Sequence, residues 1–370
     1  MGAITPASLH VDTGLSWRGG QQQVAYLTQA LHREGHQVAV VCPPKAPLQR
    51  SCRERGVRCF PVTMRGEIDV VAGARIAWLC RRYGFRLLHL HSAHAVTLGI
   101  WAKMLMPSLR TIATRRVDFP TGARVFSRWK YRGAMVDRIV CISQAIKEML
   151  LADGVPQNKL VTIHSGVDLD RFAGIPPSPM LRDALGIPPD HFIVGTVAAM
   201  AAHKDYPSLL MAAEEVLRTE ERVVFCGVGD GPQRHRIDTM ARDLGLGERF
   251  KFAGFQDDIG SYLRLFDIFV MASRTEGLGT SVIDALAVGV PVVATRVGGI
   301  PEIVQEEKNG LLVPPGNAHA LASAIHRLIT DGDLRARLAA SARASVTGFD
   351  IAITVEKNLS LYRQLMAQER

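Results

Sequence analysis

The 370-residue chain has no long apolar run. Its most hydrophobic window, AVTLGIWAKMLMP, is interrupted by Lys103 and falls short of a bilayer's thickness, so no membrane-spanning helix is expected. The start, MGAITPASLHVDTG, lacks the basic segment and apolar core of a secretory leader, and Pro6 stands where a myristoylation pattern needs Ser or Thr. Cysteine is sparse: six residues, none in a C-x-x-C pair, with Cys42, Cys141 and Cys226 inside apolar, strand-like runs. Reduced structural thiols in a cytoplasmic protein are the expectation. There is no repeat, no low-complexity tract and no G-x-S-x-G nucleophile elbow. CGVGDGP falls one glycine short of the G-x-G-x-x-G dinucleotide fingerprint, because Pro232 takes the last position.

Charge is unevenly spread. Residues 1–170 carry 23 Lys and Arg against 11 Asp and Glu, a net +12, whereas residues 171–370 carry 21 against 24, a net −3. The densest basic stretch runs from Thr114 to Arg138, with Phe119, Phe126, Trp129 and Tyr131 interleaved. Basic and aromatic residues together suit an anionic membrane surface, and a solvated basic face is the plainer alternative. No RNA- or DNA-binding motif accompanies the charge, so no nucleic-acid partner is expected.

Strand patterns alternate with helix patterns along most of the chain, which predicts parallel sheets with crossover helices. HQVAVVC, RLLHLHS, RTIATR, RIVCIS and LVTIHSG read as strands of a first domain, and QQQVAYLTQALHREG as a helix stopped by Gly35. The Pro-rich stretch Phe172–Asp190 marks a boundary, after which FIVGTVA, RVVFCGVG, FKFAGF, IFVMAS and PVVATRV repeat the pattern. The predicted fold class is α/β: two doubly wound Rossmann-like domains facing across a cleft, at residues 1–172 and 173–348. An amphipathic helix over 349–370 follows. Ligands of such sheets bind beyond the carboxyl ends of the strands.

Several junctions carry chemistry. In SRTEGLGTSVIDALAVG, a strand gives way to Glu276, the glycine-spaced loop Gly277-Leu278-Gly279, and a helix pattern from Thr280. Close backbone approach and a helix N-terminus suit a phosphate. Asp284 has two readings, as a ligand-facing carboxylate or as the acid of a Ser281-x-x-Asp284 capping box. Lys204, in the loop of VAAMAAHKDYP, is either a phosphate partner or a surface cation. Gly19-Gly20, between a first strand and a long helix, fits a second anion contact. His89, His91 and His94 of HLHSAH lack a nearby carboxylate or cysteine, so a metal is not expected, and His91 and His94 read as polar lining residues.

Taken in order, HSGVDLDRF, GVGDGP, FAGF, DIFVMASRTEGLGTSVIDALAVGVPVVATRVGGIPEIV and NGLLVPPG resemble the group-one retaining glycosyltransferases, glycosyltransferase family four, of the GT-B fold. WRGGQQQVAYLTQALHREGHQVAVV and HLHSAHA extend the likeness more loosely into the first half. The resemblance implies transfer of a sugar from a nucleotide diphosphate donor held by the second domain, with retention of anomeric configuration. It implies no metal or other cofactor, acceptor contacts from the first domain, and a terminal helix returning to that domain. By position, Glu276 would contact the donor sugar, and Gly277, Leu278, Gly279 and Thr280 the distal phosphate. Asp284 would hold the ribose, Lys204 and Gly19-Gly20 the phosphates, and Phe255–Asp257 would lie near the base. His91 and Arg116 join Glu276 as candidate catalytic groups.

Three positions depart from the family pattern. Ala199 replaces the arginine five residues before Lys204, and Arg274 or Arg18 is the candidate substitute. Asp284 replaces a glutamate. Arg115 and Arg116 stand where many relatives carry a histidine. The expected partners are a nucleotide-sugar donor, a glycan or lipid-linked acceptor and, through the basic first domain, an anionic membrane surface at the inner face of the membrane. Three rivals remain: a non-catalytic sugar-nucleotide-binding subunit, a sugar-nucleotide epimerase on the same fold, and a membrane-surface adaptor.

Overall fold

The structure, a computed structural model, describes residues 7–117, 130–176 and 178–368. The chain divides into two compact units, Met1–Gly166 with Ile351–Arg370, and Val167–Asp350.

In the first unit lie β1 (Ser8–Val11), β2 (Val38–Cys42), β3 (Arg58–Pro61), β4 (Leu87–Leu90), β5 (Arg110–Arg115), β6 (Arg138–Cys141) and β7 (Leu160–Thr162). They form a parallel sheet in the order β3-β2-β1-β4-β5-β6-β7. The order reverses between β1 and β4, where doubly wound sheets open a crevice at the strand carboxyl ends. The second unit repeats the plan with β8 (Phe192–Val197), β9 (Val223–Val228), β10 (Phe250–Gly254), β11 (Ile268–Met271), β12 (Val292–Thr295) and β13 (Gly310–Val313). Their order is β10-β9-β8-β11-β12-β13, again parallel, with the switch between β8 and β11.

The apolar runs become strands because both faces are covered by helices; β2, β9, β11 and β12 are buried along their whole length. Two strands lack that signature. β3 is an edge strand, RCFP, half exposed and closed by Pro61. β13 is four residues long and opens on Gly310 at the other sheet's edge.

The division falls at Gly166–Val167, six residues before the composition-based boundary. Phe172 is buried, and with Ile175 it lies over Gly260. The Pro-rich stretch is therefore part of the second unit rather than a free linker.

The helix Ile351–Ala367 belongs to the first unit, against the helix Gly19–Arg33. Val355, Leu359, Tyr362 and Leu365 recur at helical spacing and join Leu27, Leu31, Leu87 and Ile112 in one core cluster. Burying each such side chain contributes about 1.5–3 kcal/mol. Tyr362 adds a polar anchor, its hydroxyl lying 2.6 Å from Nδ1 of His89 on β4. Tyr362→Phe should leave that buried nitrogen unpaired and cost about 1–3 kcal/mol. Urea denaturation checks this, and an unchanged unfolding midpoint would rule out the anchor.

Candidate functional site

In the second unit the site is built where β11 ends. Ser273 is fully buried; its carbonyl accepts from Thr295 Oγ1 of β12 at 2.6 Å, and its hydroxyl donates to Glu276 Oε2 at 3.2 Å. Glu276 also pairs with Lys204, both side chains being about six-sevenths buried (15% and 13% exposed). The Gly299 N–H donates to the Glu276 carbonyl at 3.2 Å and fixes the loop from behind. Two sequence candidates 72 residues apart are thus joined directly.

Gly277, Leu278 and Gly279 are buried, and Gly279 has φ +91°, a conformation that disfavours any residue with a Cβ. The helix Thr280–Ala287 starts immediately after it with no side-chain cap. The Thr280 and Ser281 N–H groups and the helix's positive end are left for a ligand, the Val282 N–H being bonded to the Gly279 carbonyl at 2.9 Å.

This start overturns the capping reading of Asp284. Thr280 opens the helix and Gly279 is its N-cap, so Asp284 sits a full turn inside. Its side chain is 8% exposed, and among the described residues its carboxylate makes no hydrogen bond or ion pair. Burial pushes its pKa up to about 6, partly countered by the field of Arg171. A buried acid without donors costs stability, which makes Asp284 a candidate for a ligand contact.

Lys204 lies in a short turn before the helix Tyr206–Thr219. Beside it, Asp205 Oδ2 accepts from Arg274 Nε at 2.9 Å and from Ser208 Oγ at 2.7 Å. Arg274, one candidate substitute for the missing arginine at Ala199, is therefore next to Lys204 but tied to Asp205. Gly229 and Gly231 of the GVGDGP stretch have a packing explanation. A Cβ there would lie 2.1 Å from the Ala198 carbonyl and 2.6 Å from that of Met200. Phe255 is 58% exposed just past β10, the place expected for a base-stacking ring.

The first unit gathers a second set. The helix Gly19–Arg33 begins at the two glycines themselves, so Gly19-Gly20 form its first turn rather than a loop before it, again with no side-chain cap. Arg116, just past β5, runs alongside: a Cβ on Gly20 would lie 3.7 Å from its Cδ. Its Nη1 donates to Ser165 Oγ and its Nη2 to His91 Nδ1, each at 3.3 Å. Its Nε is buried with no partner among the described residues. Burial lowers the guanidinium's pKa to about 10, opposed by the nearby charge of Asp12. That carboxylate is held elsewhere, by the Gly14 N–H at 2.8 Å and Gln21 Nε2 at 2.9 Å. Arg18 caps the same helix only through its backbone.

His91 lies behind Arg116 and is only 4% exposed. It clusters with His89 and with His10 of β1, their nearest ring nitrogens within 4.8 Å of one another. That spacing would suit a metal, but all six nitrogens are engaged. His10 uses Ser8 and His91, His91 uses His10 and Arg116, and His89 uses Tyr362 and Thr114. Burial drives all three imidazoles toward the neutral form, His10 to about 3. His94 stands apart, largely exposed and 3.6 Å from Glu67. His10, Asp12 and Tyr362 are not marked by any motif, and Ser165 lies in HSGVDLDRF without being singled out there. The one available signal, a histidine on each of β1 and β4, needs the His10↔His89 register to be noticed.

The basic stretch Thr114–Arg138 is only partly visible, since residues 118–129 lie outside the described residues. Its Arg115 is buried under the ring of Tyr131, 5.5 Å from the centroid, and so is not a surface cation. Among the described residues no helix is long and apolar enough to cross a membrane.

Comparison with known proteins places these two sets in one lineage. The family described as "Glycosyl transferases group 1" matches residues 178–345, and "Glycosyltransferase Family 4" matches residues 17–171. A lipopolysaccharide core biosynthesis glycosyltransferase of Rhizobium meliloti, LpsE, is 30% identical over 72% of this chain and 74% of its own length. A D-inositol 3-phosphate glycosyltransferase of Streptomyces bingchenggensis is 30% identical over 81% of this chain and 73% of its own. A glycosyltransferase structure from Rickettsia africae superposes with a TM-score of 0.88 at 20% identity, covering 99% of this chain and all of its own. HepE of Anabaena, crystallised with UDP and glucose, gives 0.84 at 21% identity over 96% of this chain and 99% of its own. With both halves matched in order and both sheets in place, the chain belongs to the group 1, family four glycosyltransferases and has their GT-B fold.

Proposed function

We propose that this glycosyltransferase takes a sugar from a nucleoside diphosphate donor bound by the second unit and passes it, with retention of configuration, to a glycan or lipid-linked acceptor engaged by the first. The observation that carries the reading is the buried, unpartnered carboxylate of Asp284, one turn inside an uncapped helix start that follows the Glu276–Lys204 pair. A nucleotide sugar supplies what these groups lack: ribose hydroxyls donate to Asp284, and the distal phosphate meets the N–H groups of Gly277 to Thr280. Glu276 accepts from hydroxyls of the donor sugar, Lys204 neutralises phosphate, and Phe255 stacks on the base. HepE, crystallised with UDP-glucose, is a relative in fold that takes such a donor.

In this scheme catalysis is positioning plus stabilisation of the departing diphosphate, with no dedicated nucleophile. Lys204 and the Thr280 helix start supply the positive charge in the second unit, so the reading needs no bound metal. In the first unit Arg116 and the Gly19-Gly20 helix start form an anion receptor for a charged group of a substrate. His91, sealed behind Arg116, supports that arginine rather than touching the reacting atoms.

The exposed surface of the first unit favours the membrane part of the proposal. Val71 (79% exposed) and Trp78 (56%) stand out from the helix Val70–Tyr83, whose open face also carries Arg75, Arg81 and Arg82, and Ile68 (84%) is exposed just before it. Apolar residues flanked by arginines suit the interface of an anionic bilayer.

Four outcomes test this reading. Glu276→Gln should lower kcat/KM at least about a hundredfold with the circular dichroism spectrum unchanged; near-normal turnover would sink the site. In the same assay with the native enzyme, product NMR should show the donor's anomeric configuration, and inversion would overturn retention.

Asp284 gives a pH signature. Its folded pKa, about 6, lies above the ordinary carboxylate value of 3.8, so the native state holds this proton longer than the unfolded chain. The group's cost is absent below about pH 4, grows as pH rises through 6, and is full at pH 8. Asp284→Asn should therefore stabilise the ligand-free protein at pH 8 by about 1–3 kcal/mol, give no gain at pH 4, and weaken UDP binding. Equal destabilisation at both pH values would contradict the account.

Vesicles rich in anionic lipid should sediment the protein at low salt and release it at high salt. The Val71→Glu, Trp78→Glu double variant should not sediment. Retention of full binding in that variant would remove this face from the proposal.

A further inference from the structure

The hydrogen bonds behind Arg116 admit only one direction. A guanidinium has donors and no acceptor, so the His91 Nδ1 that lies 3.3 Å from Arg116 Nη2 must present a lone pair. A neutral His91 then carries its proton on Nε2, which points at His10 Nδ1 at 2.9 Å. That atom must accept in turn, which puts the His10 proton on Nε2, 3.2 Å from Ser8 Oγ. The order Arg116 to His91 to His10 to Ser8 is therefore fixed by the chemistry of its first member. The His10 and His91 rings lie nearly parallel, 11° apart with centroids 5.2 Å apart, and both are sealed from solvent. Their burial, next to a cation, holds both rings neutral, which the one-proton count requires.

Arg116 needs such a tether. Asp12 attracts it electrostatically, yet among the described residues no ion pair joins them. Among the described residues the guanidinium's partners are His91 and Ser165, and its Nε has none. A long side chain with that freedom could swing onto Asp12 and cancel the positive charge beside the Gly20 helix start. We infer that His10 is a positioning residue for Arg116: by accepting the His91 Nε2 proton it fixes the tautomer whose Nδ1 lone pair holds the guanidinium beside that helix start. The inference rests on the proposed role of Arg116 as an anion ligand, and it adds a residue that no motif marks.

The test is made on the full-length protein. Long-range 1H–15N correlation of the native protein should show His91 protonated on Nε2 and bare on Nδ1. A proton on Nδ1 would overturn the proposal outright, whatever the variants do. His10→Leu removes the acceptor, and should mix the two His91 tautomers and lower kcat about tenfold, the scale of one lost charge-assisted contact. His10→Asn keeps an acceptor near the Nδ1 position and should restore one tautomer and most of the rate. Tyr362→Phe disturbs His89 in the same cluster and should lower stability without changing the His91 tautomer. If His10→Leu and Tyr362→Phe have the same effects on tautomer and rate, His10 is only a packing residue. The tautomer is read without substrate, so the tether stands or falls independently of the transfer reaction. A wrong role for Arg116 would appear instead as native-like turnover in Arg116→Gln.

Discussion

Two buried ionic groups without full complements of partners underlie the functional reading. Asp284 is 8% exposed and its carboxylate accepts no hydrogen bond among the described residues, and Arg116 has an enclosed Nε without an acceptor. Each raises the free energy of the ligand-free protein, because a charge removed from water without hydrogen bonds is unfavourable. Folding pressure alone would replace them, Asp284 by an amide and Arg116 by an apolar side chain. Their placement makes sense if a substrate completes them. Both stand beside a helix start that lacks a side-chain cap, so each unit presents a polar group and a set of unpaired N–H groups together.

The surrounding structure keeps these groups from finding partners within the protein. In the second unit Arg274 is tied to Asp205, and Lys204 to Glu276. In the first, Asp12 is satisfied by Gly14 and Gln21, and Arg116 is tethered by His91 and Ser165. Rigid sheets supply the geometry: Ser273 is pinned by Thr295 on the next strand, and the histidines sit on neighbouring strands β1 and β4. The terminal helix takes part as well, since Tyr362 reaches His89. The same chain end that completes the first unit's core thereby anchors His89, whose ring packs against the histidines behind Arg116.

Much of this was legible in the sequence, and the exceptions share a cause. Buried parallel strands announce themselves as apolar runs, so the two α/β units could be read directly. β3 could not, because it is a half-exposed edge strand without an apolar run, and β13 is a four-residue strand that opens on glycine. Glu276, Lys204 and the glycine loop lie on one strand–loop–helix pattern or its repeat, and local spacing finds them. Asp284 was ambiguous because capping and ligand binding both place an acid near a helix start. Only the position of Gly279 as N-cap separates them. His10, Asp12, Ser165 and Tyr362 depend on strand register and on a contact between residues 273 positions apart, which no local pattern encodes. The Pro-rich stretch placed the boundary six residues late: composition marks where regular elements stop, not where packing changes over, and Phe172 is buried in the second unit.

The central claim is that the second unit is a nucleoside diphosphate site organised by Asp284 and the Gly277–Thr280 helix start. A crystal structure after soaking with a panel of nucleoside diphosphates tests it most directly. The account requires ribose hydroxyls on the Asp284 carboxylate, with the terminal phosphate against the Gly277–Thr280 N–H groups and within reach of Lys204. An ordered nucleotide elsewhere, with Asp284 still unpartnered, would contradict it.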